Sequence, residues 1–127
     1  MKIIYVASPY AGDVKKNTEF TKRACRYVLE QGYAFFAPHL LYPTILDEHQ
    51  PEQRQLGLDM GIAMLSRCDE LWCYGDHISL GMHFEIEEAD RLKIPVRRVR
   101  EQAGTFIINE PMQFTKAEAP APSMRMV

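Results

Sequence analysis

Long apolar runs are missing from this sequence. No stretch approaches the roughly 20 residues needed to cross a membrane as a helix, so no membrane partner is expected. A strong excess of one charge is missing too. The formal net charge is −2 with 25% charged residues, which gives no electrostatic reason to hold nucleic acid or an anionic surface. Cysteine is scarce. Cys25, Cys68 and Cys73 are odd in number, lack CxxC spacing and sit in apolar surroundings, which reads as reduced thiols in a cytoplasmic protein. The histidines (His39, His49, His77, His83) show neither HExxH nor paired spacing, so no metal site is expected. His83 projects to the polar side of its helix and reads as solvated. Neither GxGxxG nor a Walker pattern occurs, so a dinucleotide or triphosphate cradle has no support and no cofactor is expected. The opening Met-Lys-Ile-Ile-Tyr-Val-Ala-Ser reads as a strand, too short for a signal hydrophobic region.

What is present suits one domain: 127 residues, 46% of them hydrophobic, enough to bury a real core. Lys2 to Ala7 is an apolar run ending at Ser8-Pro9, as a buried strand followed by a loop would. Asp13 or Asn17 can cap a helix with the inner stripe Phe20, Ala24, Tyr27, Val28, stopped by Gly32. Tyr33 to Ala37 is a second strand, followed by the loop "PHLLYPTILDEHQ". Pro51 suits the first turn of a helix reaching about Arg67, apolar almost all round and therefore expected to be well buried. Glu70 to Tyr74 is a third strand, Ser79 to Lys93 a helix, and Pro95 to Val99 a fourth strand. "TFII" (Thr105 to Ile108) offers an edge strand. Strands apolar enough to be covered on both faces, alternating with helices, predict an α/β fold. The expectation is a three-layer α/β/α architecture around a doubly wound, mainly parallel sheet of 4–5 strands. Residues 1–110 form the expected domain, and 111–127 a flexible tail, because "KAEAPAPSMRMV" has linker composition.

In doubly wound sheets ligands bind outside the carboxyl ends of the strands. Two loops fall there: Ser8-Pro9-Tyr10-Ala11-Gly12-Asp13 after the first strand, and Gly75-Asp76-His77-Ile78-Ser79-Leu80-Gly81 after the third. Both are small and polar and lead into a helix N-terminus, where free backbone N–H groups favour anions. Taken alone, each loop reads as a set of turns and caps made by Pro, Gly and Asp. Glu85 adds weight. Met82, Ile86, Ala89 and Leu92 form the apolar stripe of their helix, and Glu85 projects inside it, between Ala89 and Leu92. One reading is an imperfect helix phase, with the carboxylate reaching back to water. The other is a partly desolvated carboxylate facing a pocket, a nucleophile or general base. Asp59 is a second carboxylate inside an apolar arc, projecting between Ile62 and Ala63. Asp69 reads as a turn residue.

The stretches "IIYVASPYAGD", "CDELWCYGDHISLGMHFEIEEA" and "KIPV" carry a resemblance over about residues 1 to 100. The chain resembles the nucleoside 2-deoxyribosyltransferase-like superfamily, and most of all an uncharacterised bacterial and phage branch of it. The strongest element is Ser79-x-Gly81-x-x-x-Glu85, spaced as in the deoxynucleoside-monophosphate N-glycosidases of that superfamily. The resemblance implies Glu85 as nucleophile at the anomeric carbon, Tyr5 as the tyrosine bonded to it, and Ser79 and Gly81 at the 5′ group. Ser8, Pro9, Tyr10 and Gly12 correspond to the segment closing over sugar or phosphate, and Asp76 lies in the second loop. The relatives' base-contacting aspartate sits eight residues before the aspartate that opens the third strand. Here that position is Gly61, and Asp59 is the nearest carboxylate. The implied activity is hydrolysis or deoxyribosyl transfer on a nucleoside, nucleotide or related ribosyl compound. The relatives complete their sites from a neighbouring subunit, so a homo-oligomer is expected. A catalytically inactive nucleotide-binding or sensing domain is the alternative.

Overall fold

The alternation of apolar runs and amphipathic segments builds a five-stranded sheet in the order β2-β1-β3-β4-β5. The computed structural model describes residues 1–112, so the expected tail beyond them lies outside the described residues. β1 (Ile3–Ala7), β2 (Ala34–Phe36), β3 (Glu70–Tyr74) and β4 (Val96–Gln102) are parallel, and β5 (Thr105–Met112) closes one edge antiparallel to β4. The helices are α1 (Val14–Glu30), a short α2 (Pro38–Leu41), α3 (Pro51–Leu65) and α4 (Leu80–Arg91). The expected three-layer, doubly wound α/β fold is the one observed.

Side chains of a strand alternate between faces, and that alternation sorts the core. Ile4, Val6, Trp72, Tyr74 and Val99 meet Ala24, Cys25 and Val28 of α1 on one face. Tyr5, Ala7, Leu71, Cys73 and Val96 meet Leu65 of α3 and Met82, Ile86 and Ala89 of α4 on the other. Each fully buried aliphatic among them contributes about 1.5–3 kcal/mol of transfer free energy. Tyr5 therefore points towards α3 and α4 because of its parity in β1.

Local chemistry sets the boundaries. The Asp13 carboxylate accepts from the Lys16 N–H at 3.1 Å and caps α1. Ser79 caps α4 by accepting from the Met82 N–H at 3.3 Å. At the far end of α4 the Ile94 N–H reaches the Ala89 carbonyl at 2.8 Å while Lys93 adopts φ +60°, a left-handed C-terminal turn built without glycine. Ala103 and Gly104, at φ +51° and +80°, form the tight turn that sends β4 back as β5. That strand runs to Met112, four residues past the "TFII" stretch.

Two expectations change. The segment after β2 holds α2 and a 3-10 turn at Tyr42–Thr44 instead of a plain loop. In α3 only Gly61 and Leu65 are buried, while Leu56, Leu58, Met60 and Met64 are 39–45% exposed. The physical reason is placement: α4 covers that face of the sheet beside β3 and β4, and α3 packs along the flank of α4. An all-round apolar helix there is left with one bare side.

Candidate functional site

The order β2-β1-β3 reverses direction at β1, with α1 on one face and α3 and α4 on the other. The crevice outside the carboxyl ends of β1 and β3 is thus the topological switch point. The two loops expected to form a site meet there. Gly75 has φ +101°, and a Cβ on it would lie 3.9 Å from Pro9 Cγ, so the loop after β3 touches the loop after β1. Arg98 of β4 ties this corner down by donating to the Gly75 carbonyl from Nε at 3.1 Å and from an η nitrogen at 2.7 Å.

Among the described residues two glutamates are buried, and their surroundings differ. Glu70, at the opposite end of β3, accepts from Lys2 Nζ at 2.8 Å, Arg97 Nε at 2.7 Å and Trp72 Nε1 at 2.9 Å. Burial alone would raise its carboxyl, but these donors outweigh it and hold the group below the usual range. That is a satisfied structural charge. Glu85 has no such cation. It lies on the inward face of α4, 7% exposed, and the hydroxyl of Tyr5 donates to its Oε2. Burial pushes its carboxyl up to about 7, partly opposed by the Tyr5 hydrogen bond. Burial and the neighbouring carboxylate together push the Tyr5 phenol well above its ordinary value, so it stays a donor. Cys73 is close to both Glu85 and Arg98; burial takes its thiol up to about 12, which leaves it an inert neighbour.

Gly61 of α3 abuts this pair. A Cβ there would stand 3.2 Å from the Tyr5 hydroxyl and 3.4 Å from Pro38 Cβ, closer than ordinary contact. Helix phase explains the fate of Asp59. Two residues back is about 200° around the helix, so Asp59 is exposed, accepts from Gln55 Nε2 at 2.9 Å, and lines a shallow depression of about 450 Å³ with Pro51, Glu52, Gln55 and Leu56. Its expected place in the crevice is corrected: the inward position is Gly61.

The remaining expected residues divide. Ser79 and Gly81 sit at the head of α4, where the first backbone N–H groups have no intrahelical partner. A Cβ on Gly81 would meet nothing within 4 Å, so the space over this helix end is open. Pro9 and Tyr10 are half-buried in the first loop; Gly12, at φ +98°, and Asp76 are exposed. Ser8 is fully buried with its Oγ 2.7 Å from Thr21 Oγ1 of α1, so its hydroxyl is turned away and only its backbone borders the crevice. His83 is half-buried instead of solvated, and its Nδ1 is covered with no hydrogen-bond partner among the described residues.

His39, set aside in the sequence because it matched no metal spacing, lies at this corner. Its ring stacks on Tyr10 with centroids 5.2 Å apart and planes at 25°. The signal that could have found it is positional: it follows the carboxyl end of β2, beside the switch point. Among the described residues no cluster of His, Cys, Asp or Glu is arranged to hold a metal ion, and no helix is long and apolar enough to cross a membrane.

This chain is similar to a set of solved structures, three of which show the likeness. A 2-deoxyribosyltransferase from the psychrotolerant bacterium Bacillus psychrosaccharolyticus is 20% identical, with a TM-score of 0.65, over 84% of this chain and 77% of that one. A conserved protein from Enterococcus faecalis V583 is 19% identical, with a TM-score of 0.58, over 77% of this chain and 62% of that one. A 2-deoxyribosyltransferase from Leishmania mexicana is 16% identical, with a TM-score of 0.53, over 80% of this chain and 66% of that one. At these identities the likeness is one of fold, and it is the 2-deoxyribosyltransferase fold. No curated protein matches in sequence. Residues 2–99 match the family described as "Domain of unknown function (DUF7768)", and the chain belongs to that family.

Proposed function

We propose that this chain is an N-glycoside-processing enzyme, a hydrolase or deoxyribosyltransferase, acting on a nucleoside, nucleotide or related ribosyl compound. Glu85 is the nucleophile. The observation that carries the reading is the buried Tyr5–Glu85 pair at the switch point, a carboxylate without a cation beside the crevice. The shared fold supports it: the Bacillus relative is described as a biocatalyst for the synthesis of nucleosides.

Tyr5 occupies Oε2 of Glu85, which leaves Oε1 for attack. Oε1 bonds to the anomeric carbon as the C–N bond breaks, the bonding pair leaves with the base, and a proton is taken up there. Oxocarbenium character in the transition state is stabilised by the carboxylate. Water then attacks the glycosyl ester to give free sugar, or a second base attacks to give a new nucleoside, and Glu85 is released. The Ser79 hydroxyl and the amides of Leu80 and Gly81 receive the 5′ oxygen or phosphate at the positive end of α4. Pro9, Tyr10, Gly12 and Asp76 border the sugar, with the Ser8 backbone beneath them. A second copy of the chain completes the assembly. The second reading, a nucleotide-binding domain without turnover, is favoured by Gly61, which puts no carboxylate beside Tyr5.

The deciding experiment is a screen of nucleosides, nucleotides and NAD-like compounds with free base detected by chromatography. Release of base that Glu85→Gln abolishes supports the enzyme. Binding with no release by the wild type supports the second reading.

A further inference from the structure

The loop after β1 carries Tyr10 and α2, after β2, carries His39; the two rings stack where neighbouring strands end. Contacts link this corner to the Tyr5–Glu85 pair. Pro38, the residue before His39, lies against Gly61 beside the Tyr5 hydroxyl, and Tyr5 donates to Glu85. Burial pulls the His39 imidazole down to about 4, against a hydrogen bond to the Ser8 backbone that favours the charged ring. At neutral pH the ring is uncharged. A neutral imidazole that donates from one nitrogen keeps the other as an acceptor. Gly61 offers no side chain of its own here, and the His39 ring, stacked on Tyr10 and bonded to the Ser8 backbone, follows directly on the Pro38 that borders it.

We propose that His39 is a specificity-determining residue of the base subsite, its ring held flat by Tyr10 and hydrogen-bonded to the heterocycle of the N-glycoside. This rests on the N-glycoside reading above. The chemistry recognised is a planar nitrogen heterocycle that presents an N–H or exocyclic amino donor to the acceptor nitrogen. A flat aromatic wall complements the heterocycle's face, and an acceptor that the bound heterocycle covers penalises a ligand that leaves it unpaired.

The test compares His39→Phe, which keeps the stack and loses both nitrogens, with His39→Asn, which keeps an acceptor. Each is assayed on deoxyadenosine and deoxycytidine, their 5′-monophosphates, and 4-nitrophenyl 2-deoxyriboside, whose leaving group offers no such donor. Thermal melting establishes that the variants fold. The expected result for His39→Phe is a loss of about tenfold or more in kcat/KM on the base-bearing compounds. The nitrophenyl glycoside stays within about twofold, and His39→Asn regains part of the loss. Equal losses on both kinds of substrate would reduce His39 to a structural residue and overturn the proposal. So would a His39→Phe variant as active as the wild type. A wild type that cleaves neither these compounds nor any nucleoside, nucleotide or NAD-like compound of the screen would overturn the N-glycoside reading and this inference with it.

Discussion

Glu70 and Glu85 are both buried, yet one is ringed by Lys2, Arg97 and Trp72 while the other meets a phenol. The difference has consequences in pH. Glu85 titrates near 7 in the folded chain against an ordinary 4.5. Between those values the folded state holds a proton that the unfolded state has released, so this group's contribution to stability falls as pH rises through the window and is level above it. Glu85→Gln removes that dependence: the variant's melting temperature should gain on the wild type from pH 5 to pH 8. A difference independent of pH would mean that Glu85 is not desolvated. As the proposed nucleophile Glu85 works ionised, so kcat/KM should rise with pH through an apparent pKa near 7. Tyr5→Phe deletes the hydrogen bond that lowers Glu85, so that limb should move to higher pH, which a pH–rate profile reads directly. Glu85 was visible in the sequence because a helix phase is local. The Tyr5 link came through resemblance alone, and the closeness of Gly61 to the Tyr5 hydroxyl spans 56 positions, a distance no periodicity reports.

At the scale of elements, caps and turns were readable where one residue does the work. Of the two expected caps Asp13 starts α1 and Gly32 stops it, while Ser79, read as the first residue of its helix, stands as the cap, since a cap needs only a side-chain oxygen or a positive φ. Lys93 was not readable as a terminator. It stands in the left-handed region at φ +60°, where glycine is free of the Cβ penalty. Lys93→Gly should therefore stabilise the fold by about 1 kcal/mol, raising the melting temperature by a few degrees; no change would mean the turn tolerates lysine without strain. Ser79→Ala should cost about 1 kcal/mol through the lost cap and should weaken ligand binding as well, measured by calorimetry beside the melt. In α3 the apolar pattern gave the helix but not its burial, because exposure depends on which neighbour covers each face, and α4 is the helix that lies on the sheet at β3 and β4.

At the scale of the molecule the parallel sheet and the loops outside its carboxyl ends were legible, since continuous apolar strands separated by helices admit few arrangements, while the strand order was not. The antiparallel β5 extends further than its "TFII" signal because pairing with β4 carries it along. We propose that a second copy of this chain covers the bare side of α3, where Leu56, Met60 and Met64 are open to solvent. Light scattering at micromolar concentration should give at least twice the 14.7 kDa chain mass, and Met60→Glu should lower it; a monomer would remove the neighbouring subunit from the site. The central proposal, that the molecule is an enzyme through Glu85, is tested most directly by single-turnover kinetics with mass spectrometry. The best substrate of the screen is mixed with excess wild type or Glu85→Gln, quenched and weighed. The account predicts a glycosyl adduct on the wild type, none on the variant, and a rate lower by a factor on the order of 10³ or more with binding retained. A Glu85→Gln chain that keeps most of the rate would contradict it.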